Sequence, residues 1–204
     1  MTLRRLVLWR HGETDYNAGG RMQGHLDSDL TDVGRKQARF AVPALARFSA
    51  DLVITSDLRR AMDTATVFTD ATGVPQRVDK RLRETNLGLW QGLTGVEVDE
   101  RWPGERQVWQ VDPTSSPPGG ETRIEVAARA AEVVHQLDTG DETTAVLCAH
   151  GGLITALTGC LLELPVVTWA RLGGIGNCHW NVLERRPHSG PAWRLITYNA
   201  GIAG

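Results

Sequence analysis

An apolar segment near the start of the chain ends abruptly in residues that could transfer a phosphoryl group. Residues 6–9 are apolar, and Arg10, His11 and Gly12 follow directly. A neutral imidazole nitrogen can attack phosphorus, and a guanidinium group offers a planar fork of N–H donors to phosphate oxygens. The alternative is that His11 is an ordinary surface residue at the end of a strand. The choice between the two depends on residues farther along the chain.

A second histidine stands in the same setting. Residues 144–149 predict a buried strand that ends at His150 and Gly151. Ligands of parallel sheets bind beyond the carboxyl ends of the strands, so this position would bring His150 close to His11. There it could donate a hydrogen bond to phosphoryl oxygens in the transition state. The alternative is a hydrogen-bonded histidine of the core.

A pair of arginines begins the helix that is predicted to follow the strand at residues 52–55. In the first turn of a helix, an arginine can join the backbone N–H groups in binding an anion. Arg59 and Arg60 are adjacent, so their side chains point about 100° apart around the helix axis. The apolar pattern does not choose between them, and a solvent-exposed arginine is the alternative for either.

One carboxyl group, Glu84, lies in a glycine-containing loop over residues 82–92. Cleavage of a phosphate ester requires a proton for the leaving alkoxide, and the negative charge of the phosphate favours the protonated form of a nearby carboxyl. Glu84 is therefore a candidate general acid. The alternative is a surface salt bridge with Arg81 or Arg83, which is common for a glutamate in a loop.

Length and composition predict an ordinary globular protein. The chain has 204 residues, of which 41% are hydrophobic and 23% are charged, and we expect a single domain over residues 1–204. The net charge of −2 argues against nucleic acid or an anionic membrane as a partner. No apolar run approaches membrane-spanning length, and no secretory signal is recognisable at the first residues. We therefore expect a small-molecule substrate.

The three cysteines are odd in number and lack the paired spacing of metal ligands: Cys148, Cys160 and Cys178. They lie in predicted core elements, which favours a reducing compartment and a cytoplasmic location. The sequence leaves the oligomeric state open, with a homodimer as one alternative.

Strands and helices alternate along the chain. Apolar runs predict strands at residues 6–9, 52–55, 144–149, 178–183 and 193–198, and helical periodicity follows Thr31, Leu58, Thr122 and Gly151. Pro43 should kink or interrupt the first of these helices. Residues 77–110 and 112–120 are predicted to be rich in loops. This order predicts an α/β fold, a three-layer sandwich with a mostly parallel central sheet flanked by helices.

Together, the motifs resemble the histidine phosphatase superfamily, also called phosphoglycerate mutase-like. The resemblance covers nearly the whole chain in order, so coincidence is a poor explanation. The matching segments are Arg10 to Thr14, Asn17, Gln23 with Gly24, Ser56 to Ala65, Leu82 to Gly92, Gly120 to Thr122 and His150 to Gly152.

The resemblance implies a phosphohistidine mechanism on these residues. His11 would be the nucleophile, Glu84 the general acid and then the base for water, and a pocket for the phosphate would be formed by Arg10, Arg60 and His150. Arg60 is selected over Arg59 because the family arginine precedes an Ala-x-x-Thr-Ala segment. The substrate-binding positions would be Asn17, Gln23, Gly24 and Gly151. This chemistry requires no metal and no cofactor. Thr155 stands where many relatives have arginine.

The resemblance also bears on the choice between hydrolysis and mutase chemistry. A mutase must keep its phosphohistidine dry, whereas a phosphatase admits water. Mutases of this family have an insertion after the glutamate motif, and here only a short stretch separates Glu84 from Gly120. We therefore predict hydrolysis of a small phosphorylated sugar or glycerate. The alternatives are a cofactor-dependent phosphoglycerate mutase, a phosphatase of broad specificity, a regulatory module without turnover, and a zinc hydrolase on His11 and His150.

Three tryptophans, Trp90, Trp102 and Trp109, occur in the segment predicted to be rich in loops. They could form a wall on which a sugar stacks, or they could bury the segment against the core. The sequence does not decide between these roles.

Overall fold

A computed structural model describes residues 3–186 and 192–202, and within them six strands form one mixed sheet. The strands are β1 (Arg5–Arg10), β2 (Leu52–Thr55), β3 (Gln76–Val78), β4 (Thr144–Ala149), β5 (Trp180–Arg185) and β6 (Trp193–Ala200). Their order across the sheet is β3-β2-β4-β1-β5-β6, and β1 to β4 run parallel. Strand β5 is antiparallel to both its neighbours. The predicted mostly parallel sheet is confirmed.

The helices cover both faces of this sheet, which gives the predicted three layers. They are α1 (Asp15–Ala18), α2 (Asp32–Ala46), α3 (Arg59–Thr72), α4 (Gly95–Arg101), α5 (Glu105–Val111), α6 (Arg123–Asp138) and α7 (Gly151–Leu161). In β1, Leu6 and Leu8 pack in the core on the side of α6 and α7. The alternate residues Val7 and Trp9 pack on the side of α2 and α3. Full burial of both sets explains why the strand reads as a continuous apolar run.

Side-chain caps fix where the helices begin. Thr31 accepts a hydrogen bond from the backbone of Gly34 at the start of α2, and Thr122 and Glu125 form a reciprocal capping box at the start of α6. Helix α2 continues through Pro43 to Ala46, so the proline does not interrupt it. Pro43 lies close to the end of the helix, where the loss of one backbone hydrogen bond is tolerated.

The segment between β3 and α6 is more ordered than its sequence indicates. It contains the short helices α4 and α5 and single 3-10 turns at Lys80–Leu82 and Gly88–Trp90. Trp90 is fully buried, and its ring centroid lies 6.4 Å from that of Trp102 and 5.8 Å from that of Trp109. These tryptophans therefore form a small core of their own, whereas the sequence-based alternative to a sugar-stacking wall placed them against the main core.

Among residues 3–186 and 192–202, no helix is long and apolar enough to cross a bilayer.

Candidate active site

The two motif histidines leave adjacent parallel strands at the same edge of the sheet. Arg10 closes β1 and is paired in register with Ala149, the last residue of β4. His11 donates its backbone N–H to the carbonyl of Ala149 at 3.0 Å. Both imidazoles are buried, and their ring centroids lie 5.1 Å apart. The topology thus brings together two residues that are far apart in sequence.

The hydrogen bonding of His11 fixes its tautomer. Its Nδ1 lies 2.7 Å from the carbonyl oxygen of Gly12, which can only accept, so Nδ1 carries the proton. The lone pair is then on Nε2. Burial lowers the pKa of His11 well below its ordinary value, and the charges of Arg10 and Arg60 lower it further. His11 is therefore a neutral imidazole with a free nucleophilic nitrogen at neutral pH.

His150 has the opposite tautomer. The Nε–H of Arg60 donates to its Nδ1 at 3.2 Å, so the ring proton is on Nε2. That Nε2 is buried and has no hydrogen-bond partner among the described residues. Burial and the nearby Arg60 lower the pKa of His150 well below its ordinary value. His150 is thus not a satisfied histidine of the core, because it retains an unused N–H donor beside His11.

Arg60, rather than Arg59, belongs to this site. Arg60 is buried and donates to the carbonyl oxygens of Leu26 and Gly24, each at 2.8 Å. Burial lowers its pKa to about 10. Arg59 is exposed and pairs with Asp29 at 2.9 Å. The resemblance to the family chose the buried arginine, which the periodicity of the helix could not do.

Arg10 is held in a similar way. It donates from Nη1 to the carbonyl oxygen of Ile175 at 2.6 Å, and its buried Nε has no partner among residues 3–186 and 192–202. Burial lowers its pKa, although the negative charge of Glu84 offsets part of this effect. Arg10 therefore offers an anion a positive charge and at least one unused donor.

The carboxylate of Glu84 caps the beginning of α7. Its Oε1 accepts from the backbone N–H groups of Thr85 at 2.8 Å and Leu153 at 3.0 Å, and its Oε2 accepts from Gly152 at 3.0 Å. A Cβ atom on Gly152 would lie 2.6 Å from Oε1 of Glu84. Only glycine at this position lets the carboxylate reach the end of the helix.

The alternative of a surface salt bridge for Glu84 is wrong. Arg81 forms its ion pair with Asp79, and Arg83 binds Asp57 through two parallel hydrogen bonds of 2.8 and 2.7 Å. Both neighbouring arginines are therefore engaged elsewhere, and Glu84 points to the helix end instead.

Two amide side chains are oriented by their neighbours. The Oδ1 of Asn17 accepts from the backbone of Thr14 at 3.2 Å and from Nδ2 of Asn177 at 3.1 Å. The Oε1 of Gln23 accepts from Ser28 at 2.6 Å. Since the oxygens are engaged, each amide keeps its NH2 donors for a ligand.

One cavity of about 380 Å³ joins most of the predicted residues. Eight of the nine line it: Arg10, His11, Asn17, Gln23, Gly24, Arg60, Glu84 and Gly151. The ninth, His150, is fully buried and contacts His11 through its ring.

Sequence reasoning missed several residues of this site. Asn177 donates to the carbonyl of His11 at 3.2 Å. Arg129 donates to the backbone carbonyls of Arg81, Arg83 and Glu84 at 2.6 to 2.8 Å, and so holds the loop that carries the carboxylate. The cavity wall also includes a set of residues from α5, α6 and the segment after α7: Trp109, Gln110, Arg123, Trp169, Ala170 and Leu172. Two sequence signals point to members of this set: Trp109 is one of the three tryptophans considered above for a sugar-stacking wall, and residues 172–177 are rich in glycine.

Within the part of the chain that the structure describes, no group of three or more His, Cys, Asp and Glu side chains is arranged to hold a metal ion. Asp27 and Asp29, which are close in sequence, instead bind the backbone and the side chain of Arg59.

The sheet edge brings two imidazoles and two guanidinium groups together, an arrangement suited to binding a tetrahedral anion. Residues 6–200 match the histidine phosphatase superfamily (branch 1), and the chain belongs to this family. It is therefore a phosphatase of the histidine phosphatase type, as the motifs predict.

Similar proteins place the chain within this superfamily. A glucosyl-3-phosphoglycerate phosphatase of Mycolicibacterium vanbaalenii is 49% identical over 98% of this chain and 96% of its own length. The structure of a mycobacterial glucosyl-3-phosphoglycerate phosphatase with VO3 is 48% identical with a TM-score of 0.92, covering 97% of this chain and 100% of that one. Its complex with inorganic phosphate is 46% identical with a TM-score of 0.90, covering 97% and 98%.

This similarity is also predicted by finer details of the sequence. Residues 15–17, 21–24, 90–94 and 172–180 resemble glucosyl-3-phosphoglycerate phosphatases, and this prediction is confirmed.

Proposed function

We propose that this chain hydrolyses the phosphomonoester of glucosyl-3-phosphoglycerate through a phosphohistidine intermediate on His11. The observation that carries the proposal is the pair of opposite tautomers, in which the free Nε2 of His11 stands beside the N–H donor of His150. The similarity to glucosyl-3-phosphoglycerate phosphatases over nearly the whole chain supports the substrate.

Binding of the phosphate group would use donors that are already in place. Arg10 and Arg60 supply positive charge, and His150 supplies its unpartnered Nε2–H. Asn17 and Gln23 supply amide NH2 groups. Donors that are preorganised around the transferring group stabilise the charge of the transition state without further rearrangement.

In the first step, Nε2 of His11 forms a bond to phosphorus and the ester P–O bond breaks. The leaving alkoxide takes a proton from the carboxyl group of Glu84. In the second step, Glu84 as a carboxylate accepts a proton from water, and the water oxygen attacks the phosphohistidine. The P–N bond breaks, inorganic phosphate leaves, and His11 returns to its neutral form.

We also propose that the reaction needs no metal, because Arg10, Arg60 and His150 already supply the positive charge and donors that a metal would provide. Activity should therefore be unchanged after exhaustive treatment with a chelator. A loss of activity that zinc restores would favour a zinc hydrolase instead.

Two further proposals concern the domain organisation of the chain and its location in the cell. We propose one domain over residues 1–204, supported by a single sheet with a packed core on each face. We further propose action in the reducing cytoplasm on a small phosphorylated metabolite, which the free state of Cys148, Cys160 and Cys178 supports.

The test of the nucleophile is rapid quenching with a substrate labelled at phosphorus. The unmodified protein should retain label on the chain, and His11→Ala should retain none. His135→Ala is the matched control, since His135 is exposed on α6 away from the cavity. Labelling of His11→Ala at the level of the control would refute the assignment.

The test of the substrate is a comparison of initial rates. Phosphate release from glucosyl-3-phosphoglycerate should exceed release from simple sugar phosphates by at least about tenfold in kcat/KM, which corresponds to about 1.4 kcal/mol of transition-state binding. Interconversion of phosphoglycerates, primed with a bisphosphate, that exceeds phosphate release would favour the mutase alternative. Equal rates across all esters would favour a phosphatase of broad specificity.

A further inference from the structure

Three arginines of the cavity have no acidic partner. Arg21, at the rim, pairs with Glu97 at 3.3 Å. Arg10, Arg60 and Arg123 also line the cavity, but among residues 3–186 and 192–202 none of them has a carboxylate oxygen within 4.0 Å. Cations that are removed from water without a counterion are unfavourable unless a ligand supplies one. This pattern indicates that the cavity is built for more than one negative group.

The environment of these three arginines supports the same conclusion. Burial lowers the pKa of each, and Glu84 is the nearby acidic group that partly offsets the effect in all three. In the mechanism proposed above, Arg10 and Arg60 bind the phosphate. The positive charge of Arg123 is left without a role.

Arg123 is held rigidly at the cavity wall. Its Nη1 donates to the carbonyl of Gln110 at 3.0 Å, and its guanidinium carbon lies 4.9 Å from the ring centroid of Trp109. A stacked and anchored guanidinium loses little further freedom when it binds a carboxylate. Within the described residues, one of its five N–H groups donates a hydrogen bond, and the others stay available to an anion.

The position of Arg123 in its helix is unfavourable without an anion. It is the first residue of α6, directly after the capping residue Thr122. The positive end of the helix dipole lies there, so a cation at this position is repelled and an anion is attracted. An anion bound by Arg123 would remove this repulsion.

We propose that Arg123 binds a second anionic group of the substrate, the carboxylate of a phosphorylated hydroxy acid, and so selects such esters over neutral sugar and polyol phosphates. The inference rests on the proposed function and names the part of the substrate that this wall recognises. Thr155, which stands where many relatives have arginine, donates its hydroxyl to the carbonyl of Gly151 and brings no charge to the cavity. The positive charge for a second anionic group would come instead from Arg123, at the start of α6.

The test uses two substrates that differ at one carbon, 3-phosphoglycerate and glycerol 3-phosphate. The unmodified protein should prefer the carboxylate ester in kcat/KM. Arg123→Gln should reduce the ratio of the two values by about tenfold to a hundredfold, because a charge-assisted pair is lost only with the carboxylate. Arg123→Lys should keep part of the preference, since it retains the charge but not the planar fork.

Arg21→Gln is the matched control, because Arg21 lines the same cavity but is already paired. It should change both substrates by the same factor. Turnover of p-nitrophenyl phosphate by Arg123→Gln shows that the variant is folded and active. An unchanged ratio in Arg123→Gln, or a wild-type preference for glycerol 3-phosphate, would overturn the role of Arg123. Absence of phosphate release by the unmodified protein from glucosyl-3-phosphoglycerate, as well as from all three esters, would instead overturn the proposed function.

Discussion

The Nε of Arg60 lies 3.2 Å from Nδ1 of His150, and this contact determines which nitrogen of that ring carries the proton. Because guanidinium nitrogens can only donate, the ring must accept at Nδ1 and keep its proton at Nε2. His11 has the reverse arrangement through the carbonyl of Gly12. Two buried imidazoles that lie side by side thereby have opposite tautomers, one with a lone pair on Nε2 and the other with a proton there.

Removal of this contact should impair catalysis severely. We expect Arg60→Ala to lower kcat/KM by about a thousandfold, because it removes a positive charge from the phosphate and frees the tautomer of His150. Arg59→Ala, which loses only an exposed ion pair with Asp29, should change it less than about threefold. Steady-state kinetics on one substrate measure both. The reverse order would mean that Arg59 is the residue at the phosphate.

The role of Glu84 should depend on the leaving group. We expect Glu84→Gln to slow an alkyl phosphate by about 10² to 10³-fold, since the departing alkoxide needs a proton. With p-nitrophenyl phosphate, whose leaving group is a weak base, the loss should be below about tenfold in a pre-steady-state burst. Equal losses on both substrates would argue against a proton donor at this position.

The close contact between Gly152 and Glu84 allows a second test of the role of this carboxylate. Alanine there would place its methyl carbon 2.6 Å from Oε1 of Glu84 and force the carboxylate away from the helix end. We expect Gly152→Ala to reproduce the leaving-group dependence of Glu84→Gln. Gly173→Ala is the control, because nothing lies within 4 Å of the added carbon. Equal kinetics of the two alanine variants would show that the position of Glu84 tolerates displacement.

Stability should fall on acidification because of the two histidines. Their pKa values are lowered in the folded protein, chiefly by burial, from an ordinary value of 6.5. Below that pH the unfolded chain binds protons at these sites and the folded chain does not, so the free energy of unfolding decreases as the pH falls. Removal of one histidine by His150→Gln should reduce this slope by about 1.4 kcal/mol per pH unit.

Urea unfolding at a series of pH values measures the effect, with His135→Gln as the control for an exposed histidine. The control should have the slope of the unmodified protein. Parallel pH profiles for His150→Gln and the unmodified protein would contradict the protonation states assigned here.

The sheet and its flanking helices are predictable from sequence because their signals are local. Residues 52–55 and 144–149 read as buried strands, and Thr31 and Thr122 mark helix starts through their own side chains. Helices α4 and α5 are only seven residues long, and β3 has three. Such short elements depend on tertiary packing, and the packing around Trp90 is not encoded in any local pattern.

The residues of the site divide in the same way, into those with a local sequence signal and those whose setting depends on tertiary packing. The motifs around His11, Glu84 and His150 occur at strand ends and in loops, where the residue types themselves indicate chemistry. The choice between Arg59 and Arg60 required a resemblance, since both lie at the start of one helix. Arg123 was not predicted because its setting arises only when Trp109 and Gln110 fold against it.

The two histidines proposed for chemistry and the residues proposed for recognition of a second charge come from different parts of the chain. His11 and His150 follow β1 and β4, whereas Trp109 and Arg123 belong to the excursion between β3 and β4 and the helix that ends it. Since Glu84 also lies in this excursion, substitutions confined to α5 and the start of α6 would change substrate preference while both histidines and the carboxylate stay in place. A chimaera that takes α5 and the start of α6 from a homologue would acquire the substrate preference of that homologue and retain its own catalytic residues.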